Sequence, residues 1–390
     1  MTGKIKVYHF HNGSGGGVLS VISNLIQFQQ HPEIENHVIY TINKDTIQSF
    51  NAPELPGVKS EQVFYYSPKW NFYYTCSQLA RLLPDERGII VAHDWLELGM
   101  VSNLGLNNPV AFFLHGNYEY YFDLAKKHLD VIDEFICISR PIYNKLTSFL
   151  KNRDTSIFLN HFPVPELDPI DKNNSILNIY FGVRSLTDAN KQFLLLPKID
   201  RLLRERGEIV RWTIIGAGGA ENEVKEPLES LQNVTYYPKL PNNEILKLIA
   251  SQDVFVLPSQ NEGLPVALVE AMKAGVVPLI TDWLGATEDL VINGVSGFYI
   301  ALNDHGRYAA MISMLHNDRK LLRKVSSTAS EIARLRFDPY KNTFDIEEHF
   351  ITVAKEKKVK SAKKVYGSRL DNKYIPNSIT TYFRHQSKGS

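Results

Sequence analysis

Cysteine is scarce in this sequence, which contains only Cys76 and Cys137, each inside an apolar segment and without the spacing of metal ligands. A disulfide scaffold and a zinc site are therefore not expected, and a reducing cytoplasm fits this cysteine content best. Long apolar runs are also missing, because no stretch approaches the roughly 20 residues that a membrane-spanning helix needs. The first residues lack the apolar core of a signal peptide. Any contact with a membrane is expected to be peripheral.

Net charge is small as well. Its formal value is +1, with 22% charged and 44% hydrophobic residues, which describes a soluble globular protein. This balance does not suit a protein that coats nucleic acid, so no nucleic-acid partner is predicted. The length of 390 residues exceeds what one hydrophobic core usually supports. Two domains with a cleft between them are therefore expected.

Short apolar runs typical of β-strands alternate with helical segments along the chain. In the first half these runs lie at 4–9, 37–42, 88–93, 110–115, 134–139 and 156–160. Prolines and polar residues at 162–174 then indicate a linker. Strand-like runs follow at 176–183, 210–216, 234–237, 253–258, 276–281 and 297–302. The alternation predicts two successive α/β domains with parallel sheets, because parallel neighbours need crossover connections.

The expected domains are residues 1–165 and 166–338. Residues 339–390 are predicted to form a C-terminal helix that crosses back to the first domain, followed by a polar basic tail. Six lysines and one glutamate lie at 355–364. This run could attract anionic lipid headgroups, although a solvated tail is the default interpretation of such a composition.

Residues 262–270, E-G-L-P-V-A-L-V-E, follow a buried apolar strand. Pro265 suits the first turn of a helix, because its fixed φ is helical and its missing donor is not needed there. Gly263 allows backbone N–H groups to approach a ligand, and a helix start attracts anions such as a diphosphate. An anion bound there would place its ribose near Glu270 and its sugar near Glu262. A helix cap with a surface glutamate is the simpler alternative.

Two basic residues follow the first strand of the second domain. Arg184 and Lys191 would stabilise the negative charge that a leaving nucleoside diphosphate gathers, in place of a metal ion. Loop cations are also commonly solvated and without such a role. Glycines at 216, 218 and 219 follow the next strand and on their own indicate a tight turn.

A second glycine-rich turn, H-N-G-S-G-G-G-V, follows the first strand of the chain. Such a turn can bring backbone N–H groups against phosphate or sugar oxygens. Gly13, Gly15 and Gly17 give G-x-G-x-G, and a dinucleotide site needs G-x-G-x-x-G. His115 follows another apolar strand, at a carboxyl end where ligands bind in open parallel sheets. A lone histidine in such a place is more often structural.

Aromatic residues are dense just beyond His115. The side chains of Tyr118, Tyr120, Tyr121 and Phe122 could form a surface that stacks on a sugar or faces a lipid. Ordinary packing is the more common role of such residues.

The segment 262–270 resembles the E-x7-E element of glycosyltransferase family 4, whose members are retaining enzymes with the GT-B fold. The flanking A-M-K-A-G, V-P-L-I-T, G-A-T-E and G-V-S-G-F are similar to the family's in order and spacing, and Glu288 of G-A-T-E matches a residue that closes the pocket. The resemblance implies two Rossmann-like α/β/α domains that face each other across a cleft, with C-terminal helices.

The same resemblance implies a role for each candidate residue. The first glutamate of the element faces the donor sugar and the second holds the ribose, while the base lies near 237–240 and the diphosphate borders the first glycine turn. The residues implied to act in catalysis are Glu262, His115, Arg184 and Lys191. Those implied to bind the nucleotide sugar are Gly15, Gly16, Gly17, Gly216, Leu240, Gly263, Leu264, Pro265 and Glu270.

The sequence thus predicts a cytoplasmic retaining glycosyltransferase of surface polysaccharide or glycoconjugate biosynthesis. It would move a hexose-type sugar from a nucleoside diphosphate sugar, most simply a UDP-sugar, to a hydroxyl of a glycan, glycolipid or other acceptor. Neither a metal ion nor a cofactor beyond this donor is expected. The alternatives are a nucleotide-sugar epimerase of the same fold and a degenerate subunit that only binds sugar nucleotides. A dehydrogenase fits least.

Overall fold

Two compact units make up the chain in the computed structural model. The first contains Met1–Pro163 and Pro339–Ser390, and the second contains Val164–Asp338. The residues that the structure describes are 4–14, 16–47, 49–83, 88–150, 156–168, 170, 172, 175–283, 287, 290–355 and 359–386.

A seven-stranded parallel sheet forms the centre of the first unit. Its strands are β1 (Ile5–His11), β2 (Ile34–Asn43), β3 (Ser60–Tyr66), β4 (Ile89–Ala92), β5 (Val110–Leu114), β6 (Glu134–Cys137) and β7 (Ser156–Leu159). The order is β3-β2-β1-β4-β5-β6-β7, so the direction of strand addition reverses between β1 and β4. In open parallel sheets, ligands bind beyond the carboxyl ends of the strands at this reversal.

The pattern of apolar runs in the sequence does not predict the strand β3. It reads S-E-Q-V-F-Y-Y, lies at the edge of the sheet and has no buried residue. By contrast, the inner strands β4 and β5 are buried along their whole length, and their sequences are continuously apolar. An apolar run therefore marks an inner parallel strand and misses a half-exposed edge strand.

Helices complete the first unit. They are α1 (Gly17–Gln27), α2 (Phe72–Ala80), α3 (Trp95–Leu104), α4 (Glu119–Lys127), α5 (Arg140–Phe149), α12 (Pro339–Lys355) and α13 (Asn377–Gln386). The carboxylate of Glu347 on α12 accepts the backbone N–H groups of Gln30 and His31, at 2.9 and 2.8 Å. These bonds attach α12 to the chain that follows α1. Every helix among the described residues is too short or too polar to cross a membrane.

Residues 359–386 are folded onto the first unit and do not form the polar tail that the sequence predicts. Lys360 is buried, and its ammonium donates to the Asp133 carboxylate at 2.6 Å. Lys363 forms an ion pair with Asp130 at 3.1 Å. Because these lysines already have intramolecular partners, they offer less charge to a membrane than the sequence suggests. Two further lysines of the run, Lys357 and Lys358, lie outside the described residues.

The second unit is built on a six-stranded parallel sheet. Its strands are β8 (Leu177–Ser185), β9 (Val210–Ala217), β10 (Val234–Tyr237), β11 (Val254–Leu257), β12 (Val277–Thr281) and β13 (Phe298–Ile300). The order is β10-β9-β8-β11-β12-β13, so the reversal falls between β8 and β11. The two parallel α/β sheets that the sequence predicts are confirmed.

Six α-helices and two short 3₁₀-helices, at Ala189–Lys191 and Phe193–Leu195, are described in the second unit. The α-helices are α6 (Leu196–Glu205), α7 (Asn222–Glu229), α8 (Asn242–Ala250), α9 (Val266–Lys273), α10 (His305–Asn317) and α11 (Arg319–Arg336). Buried aliphatic and aromatic side chains of α6, α7, α10 and α11 pack with those of the strands in one core.

Lys273, on α9, holds the two ends of the second unit together. Its buried ammonium donates to the carbonyls of Val164 and Phe337, at 2.7 and 2.9 Å, and to the Glu166 carboxylate at 2.7 Å. Burial lowers the pKa of Lys273, and the adjacent Glu166 opposes this effect. The Val164 N–H also donates to the Phe337 carbonyl at 3.3 Å. The start and the end of the unit therefore lie side by side.

Candidate active site

The E-x7-E element begins in the turn after β11 and ends within α9. The strand is buried throughout, and the helix begins at Val266. The sequence predicts Pro265 in the first helical turn, but its backbone is extended, with φ −67° and ψ 126°, and it precedes the helix as the capping residue. The reason is that a capping residue takes extended backbone while its carbonyl already accepts a helical N–H, here that of Leu268 at 3.1 Å. Gly263 is half-buried and Leu264 is buried in the turn before this cap.

Glu262 and Lys191 form an ion pair between the Oε1 and Nζ atoms. Both side chains are largely shielded, with exposed fractions of 11% for the glutamate and 22% for the lysine. Partial burial strengthens their attraction relative to a surface pair and raises the cost of losing either partner. The lysine and the glutamate that the sequence assigns to the diphosphate and to the sugar are thus in direct contact.

Asn190 fixes this pair by joining the two loops that carry it. Its carbonyl accepts the Gln260 N–H at 2.8 Å, and its side-chain amide donates to the Asn261 carbonyl at 2.9 Å. The Asn261 N–H donates back to the Asn190 side chain at 3.1 Å. Three hydrogen bonds therefore set the position of the Glu262 backbone relative to the 3₁₀-helix that contains Lys191.

Arg184 lies on a β-bulge of β8. Gly182 pairs with Ile215 and Ser185 pairs with Ala217, so two residues of β8 stand opposite the single residue Gly216 of β9. A bulge locally re-aims the side chains of its strand. The Arg184 side chain is exposed, and no residue that the structure describes forms an ion pair with it. Its guanidinium is thus available to an anionic ligand.

Gly216 fits this bulge because it has no side chain. A Cβ atom at this position would lie 3.0 Å from the Val183 carbonyl oxygen and 3.0 Å from the Leu186 side chain. The strand-like run that the sequence predicts ends at Gly216, and Gly216 is a residue of β9, which extends one residue further. The strand continues to Ala217 because β8 and β9 resume pairing beyond the bulge.

A tyrosine closes the glycine turn that follows β9. The Tyr236 hydroxyl donates to the Gly216 carbonyl at 2.9 Å and accepts the Gly219 N–H at 3.1 Å. Gly218 has a φ of +93°, a conformation that favours glycine. Leu240 lies three residues beyond the end of β10 and is half-buried. The candidates for nucleotide contact thus follow neighbouring strands of one sheet.

Glu270 is buried on α9 with only 7% of the residue exposed. Burial raises the pKa of its carboxyl group from 4.5 to about 7. Among the described residues no cation forms an ion pair with it, although Tyr180 lies near enough for the glutamate to raise the pKa of the tyrosine further. A buried carboxyl group without a cation is a costly arrangement unless a hydrogen-bond donor satisfies it. The hydroxyls of a ribose would be such donors.

This pKa predicts a pH dependence of nucleotide binding. If ribose hydroxyls donate to the ionised carboxylate, affinity for uridine diphosphate should fall as pH decreases through about 7, by up to about tenfold per pH unit. The substitution Glu270→Gln should remove this dependence. In the unliganded protein, the folded state keeps a proton that the unfolded chain loses above pH 4.5, so ionisation of Glu270 lowers stability as pH rises.

Titration calorimetry at pH about 6 and about 8 measures both affinities. Glu347 provides the matched control, because burial also raises its pKa to about 7 but it lies in the first unit. A Glu347→Gln variant should retain the pH dependence. An affinity that does not change with pH in the unsubstituted protein would contradict the assignment of Glu270 to the ribose.

The first glycine turn leads from β1 into α1. Gly13 has a φ of +74°, and a Cβ atom there would lie 2.3 Å from Ile42, so only glycine fits without rearrangement. Gly16 is the capping residue of α1, with a φ of +97°, and Gly17 is the first helical residue. Gly15 lies outside the described residues, as does Glu288 in the second unit.

His115 belongs to a histidine cluster that the sequence does not predict. His9 and His11 of β1, His93 after β4 and His115 after β5 come from three adjacent strands. His93 Nδ1 and His115 Nε2 are 2.7 Å apart, and the rings of His9 and His93 stack at 6.1 Å. One nitrogen of the His93 and His115 pair must carry a proton and donate it to the other.

Burial keeps all four histidines neutral. It lowers the pKa of His9 and His11 to about 4 and that of His115 to about 3, where nearby His11 adds to the effect. Burial, and then the other three histidines, lower the pKa of His93 well below its usual value. His115 therefore acts at neutral pH as a hydrogen-bonding group and supplies no positive charge. Among the described residues, no three of the potential ligands are placed to hold one metal ion.

Asp94 lies beside this cluster and caps α3. Its carboxylate accepts the Trp95 N–H at 2.8 Å and the hydroxyl of Tyr120, while Glu97 accepts the N–H groups of His93 and Asp94 at 2.7 and 2.6 Å. Burial, and then Asp94, raises the pKa of Glu97 to about 8. A pocket opens here, lined among others by His11, Asn12, Ser14, Asp94, Trp95 and Tyr121.

In the aromatic segment after His115, some side chains pack in the core and others are exposed. Phe122 is fully buried in the core, as ordinary packing requires. Tyr121 lines the pocket, and Tyr120 is 47% exposed. Only part of the segment could therefore contact a sugar.

Comparison with solved structures defines the class of fold. Sucrose-phosphate synthase from Thermosynechococcus elongatus aligns with a TM-score of 0.69 over 90% of this chain and 99% of that one, at 13% identity. Anabaena HepE, solved with UDP and glucose, aligns with a TM-score of 0.66 over 89% and 100% of the two chains, at 16% identity. The chain has the GT-B fold, as the sequence predicts.

The second unit carries the family signature. Residues 165–332 match the family described as Glycosyl transferases group 1, which covers almost all of that unit and less than half of the chain. The colanic acid glycosyltransferase WcaL of Salmonella typhimurium is 32% identical over 141 residues, 34% of each chain. An Escherichia coli galactosyltransferase acting on GlcNAc-diphosphoundecaprenol is 32% identical over 112 residues, 28% of this chain and 29% of its own. The chain spans about a third of the length of the curated relatives that it matches.

Proposed function

We propose that this protein is a retaining glycosyltransferase that moves a hexose-type sugar from a nucleoside diphosphate sugar, UDP-linked in the simplest case, to a hydroxyl of an acceptor. The observation that carries the proposal is the partly buried Glu262–Lys191 ion pair, in the same unit as the exposed Arg184. Arg184 lies near the end of β8, and Lys191 and Glu262 follow β8 and β11, the adjacent strands where the sheet order of the second unit reverses. A bound nucleoside diphosphate sugar needs a carboxylate that accepts hydrogen bonds from the sugar hydroxyls. It also needs fixed cations beside the diphosphate.

Each group has a distinct task in this proposal. When the bond between the anomeric carbon and the diphosphate oxygen breaks, negative charge develops on the diphosphate. Arg184 and Lys191 then stabilise this charge together with backbone N–H groups at the start of α9, without a metal ion. Glu262 orients the sugar through its hydroxyls, and Glu270 holds the ribose. The base would lie near Leu240 and the glycine turn at Gly216.

Retention follows if the acceptor attacks from the side that the diphosphate leaves. The acceptor oxygen forms the new bond to the anomeric carbon, and its proton passes to an oxygen of the departing diphosphate. No carboxylate serves as a covalent nucleophile. His115, which is neutral, donates or accepts a hydrogen bond at the reacting sugar and thereby orients it.

The acceptor is proposed to be a glycan or a lipid-linked saccharide of surface polysaccharide biosynthesis. Named relatives act in colanic acid and amylovoran biosynthesis, and two use diphosphoundecaprenol-linked substrates. Such a substrate would bring the protein to the inner face of the cytoplasmic membrane.

Product analysis with and without an acceptor tests this function. The purified protein, incubated with a panel of UDP-sugars and a saccharide acceptor in the presence of a chelator, should release uridine diphosphate and form a glycoside of unchanged anomeric configuration. Conversion of the free nucleotide sugar without an acceptor would instead identify an epimerase. Release only with added magnesium would contradict a metal-independent mechanism. Nucleotide binding without turnover of any donor would indicate a binding subunit.

A further inference from the structure

The helix α13 presents an apolar face to solvent. Ile379, Tyr382 and Phe383 are 46%, 59% and 53% exposed. Their spacing of three and four residues places them on one side of a helix. Tyr374, just before the helix, is 82% exposed. An amphipathic helix on a protein surface ordinarily turns its apolar face inward, so this orientation is the reverse of the expected one.

Specific contacts fix α13 in this orientation. On the inward side, Thr380 is fully buried and its hydroxyl donates to the Leu370 carbonyl at 3.1 Å. Arg384 donates to the buried Asp371 carboxylate and to the Trp70 carbonyl, each at 2.5 Å. The helix cannot bury its aromatic face on the first unit without breaking these bonds. The apolar face of α13 therefore points to solvent.

The charge beside this face is positive. Between residues 372 and 386 the sequence contains no aspartate or glutamate, and its two cations are Lys373 and Arg384, the second of which is paired with the buried Asp371. The Lys373 ammonium lies 5.0 Å from the centre of the Tyr374 ring. Exposed tyrosines and a phenylalanine next to a lysine that forms no ion pair with a described residue match the composition of helices that lie in the interface of an anionic bilayer.

We propose that α13 and Tyr374 form a docking surface for an anionic lipid bilayer. The side chains of Ile379, Tyr382 and Phe383 enter the headgroup region, and the Lys373 ammonium contacts lipid phosphates. The inference rests on the proposed lipid-linked acceptor, whose access it would explain, and it moves the predicted membrane contact away from the lysine run at 355–364. Two lysines of that run, Lys360 and Lys363, are already paired with aspartates.

Co-sedimentation with vesicles tests the docking surface. Full-length protein should bind vesicles of mixed phosphatidylglycerol and phosphatidylcholine, and phosphatidylcholine alone should bind it much less. The double variant Tyr382→Ser with Phe383→Ser should lower the affinity for the anionic vesicles by about tenfold or more. Leu335→Ser is the matched control, because it removes an apolar side chain that is 77% exposed in the second unit. This control should bind as the unsubstituted protein does.

Three outcomes would overturn the proposal. They are equal binding by the double variant, equal binding to neutral and anionic vesicles, and a dimer that the double variant converts to a monomer without any vesicle binding. The last result would identify a second copy of the chain as the occupant of the face. Thermal melting of the double variant checks that it folds.

The proposed function can fail separately from this surface. Vesicle binding needs neither donor nor acceptor, so binding without sugar transfer would leave the surface standing and refute the activity. Transfer to a soluble saccharide by a protein that does not bind vesicles would support the activity and refute the docking surface. If the proposed function and the docking surface are both correct, the double variant should transfer sugar normally to a soluble acceptor and poorly to an acceptor embedded in vesicles.

Discussion

Replacing Glu262 by alanine is expected to reduce the rate of sugar transfer by about 10²- to 10³-fold. The substitution removes the group that orients the donor sugar and leaves the ammonium of Lys191 without its partner. The Asn190 bonds use the main chain of the neighbouring loop, so the loop should keep its position. The effect should therefore appear mainly in kcat, with a modest fall in melting temperature because Lys191 is left unpaired.

A double-mutant cycle with Lys191→Ala separates two possible roles of the glutamate. If Glu262 only holds Lys191, the double variant should be as slow as the slower single variant. If each side chain contacts the donor, the double variant should be slower than both. Glu205→Gln is the control, because Glu205 forms an exposed ion pair with Arg201 on α6. Full transfer activity in Glu262→Ala would refute the proposed site.

The second large effect is expected for Arg184→Ala, again a loss of about 10²- to 10³-fold in the transfer rate. Its guanidinium is exposed and forms no ion pair with a described residue, so its removal breaks no ion pair of the fold. The lost charge would otherwise stabilise the departing diphosphate. Affinity for uridine diphosphate should fall in parallel, which titration calorimetry measures.

Arg211→Ala is the matched control for this prediction. Arg211 is also an exposed arginine, and it lies on β9, the strand that pairs with β8. Its substitution should leave transfer and nucleotide affinity unchanged. Equal losses in both variants would show that general surface charge, and not the β8 bulge, accounts for anion binding. Arg184→Lys should recover part of the activity, because it restores the charge without the planar guanidinium.

The second-unit site could be predicted from local patterns because its residues follow strands directly. Glu262 and Arg184 lie just after β11 and on the bulge at the end of β8, where adjacent parallel strands bring their carboxyl ends together. The contact between Glu262 and Lys191 could not be predicted in this way. It depends on three hydrogen bonds of Asn190, whose sequence position gives no indication of them.

The histidine cluster shows what a residue-by-residue interpretation misses. His115 alone is a common structural histidine, and His9 and His11 alternate with apolar residues within β1. Their proximity depends on the order β1-β4-β5, which becomes known only when the strands are paired. Two histidines two residues apart at a strand end are the signal that could have indicated the cluster.

The fold of the segment at 359–386 could not be predicted from sequence patterns either. A run of lysines followed by polar residues predicts a solvated tail. Burial of Lys360 depends on Asp133, more than 200 residues away in the chain, which supplies the opposite charge. An ion pair between residues so far apart in the chain produces no periodic pattern in the sequence near either residue.

The contacts of Lys273 have a consequence for how the chain can be divided. Since Val164 and Phe337 lie within hydrogen-bonding distance, the chain enters and leaves the second unit at neighbouring positions, in the manner of an inserted cassette. Residues 164–338 could be expressed as an autonomous module, and a short peptide could replace them in the remainder. Donor recognition could then be exchanged between relatives by transplanting this cassette.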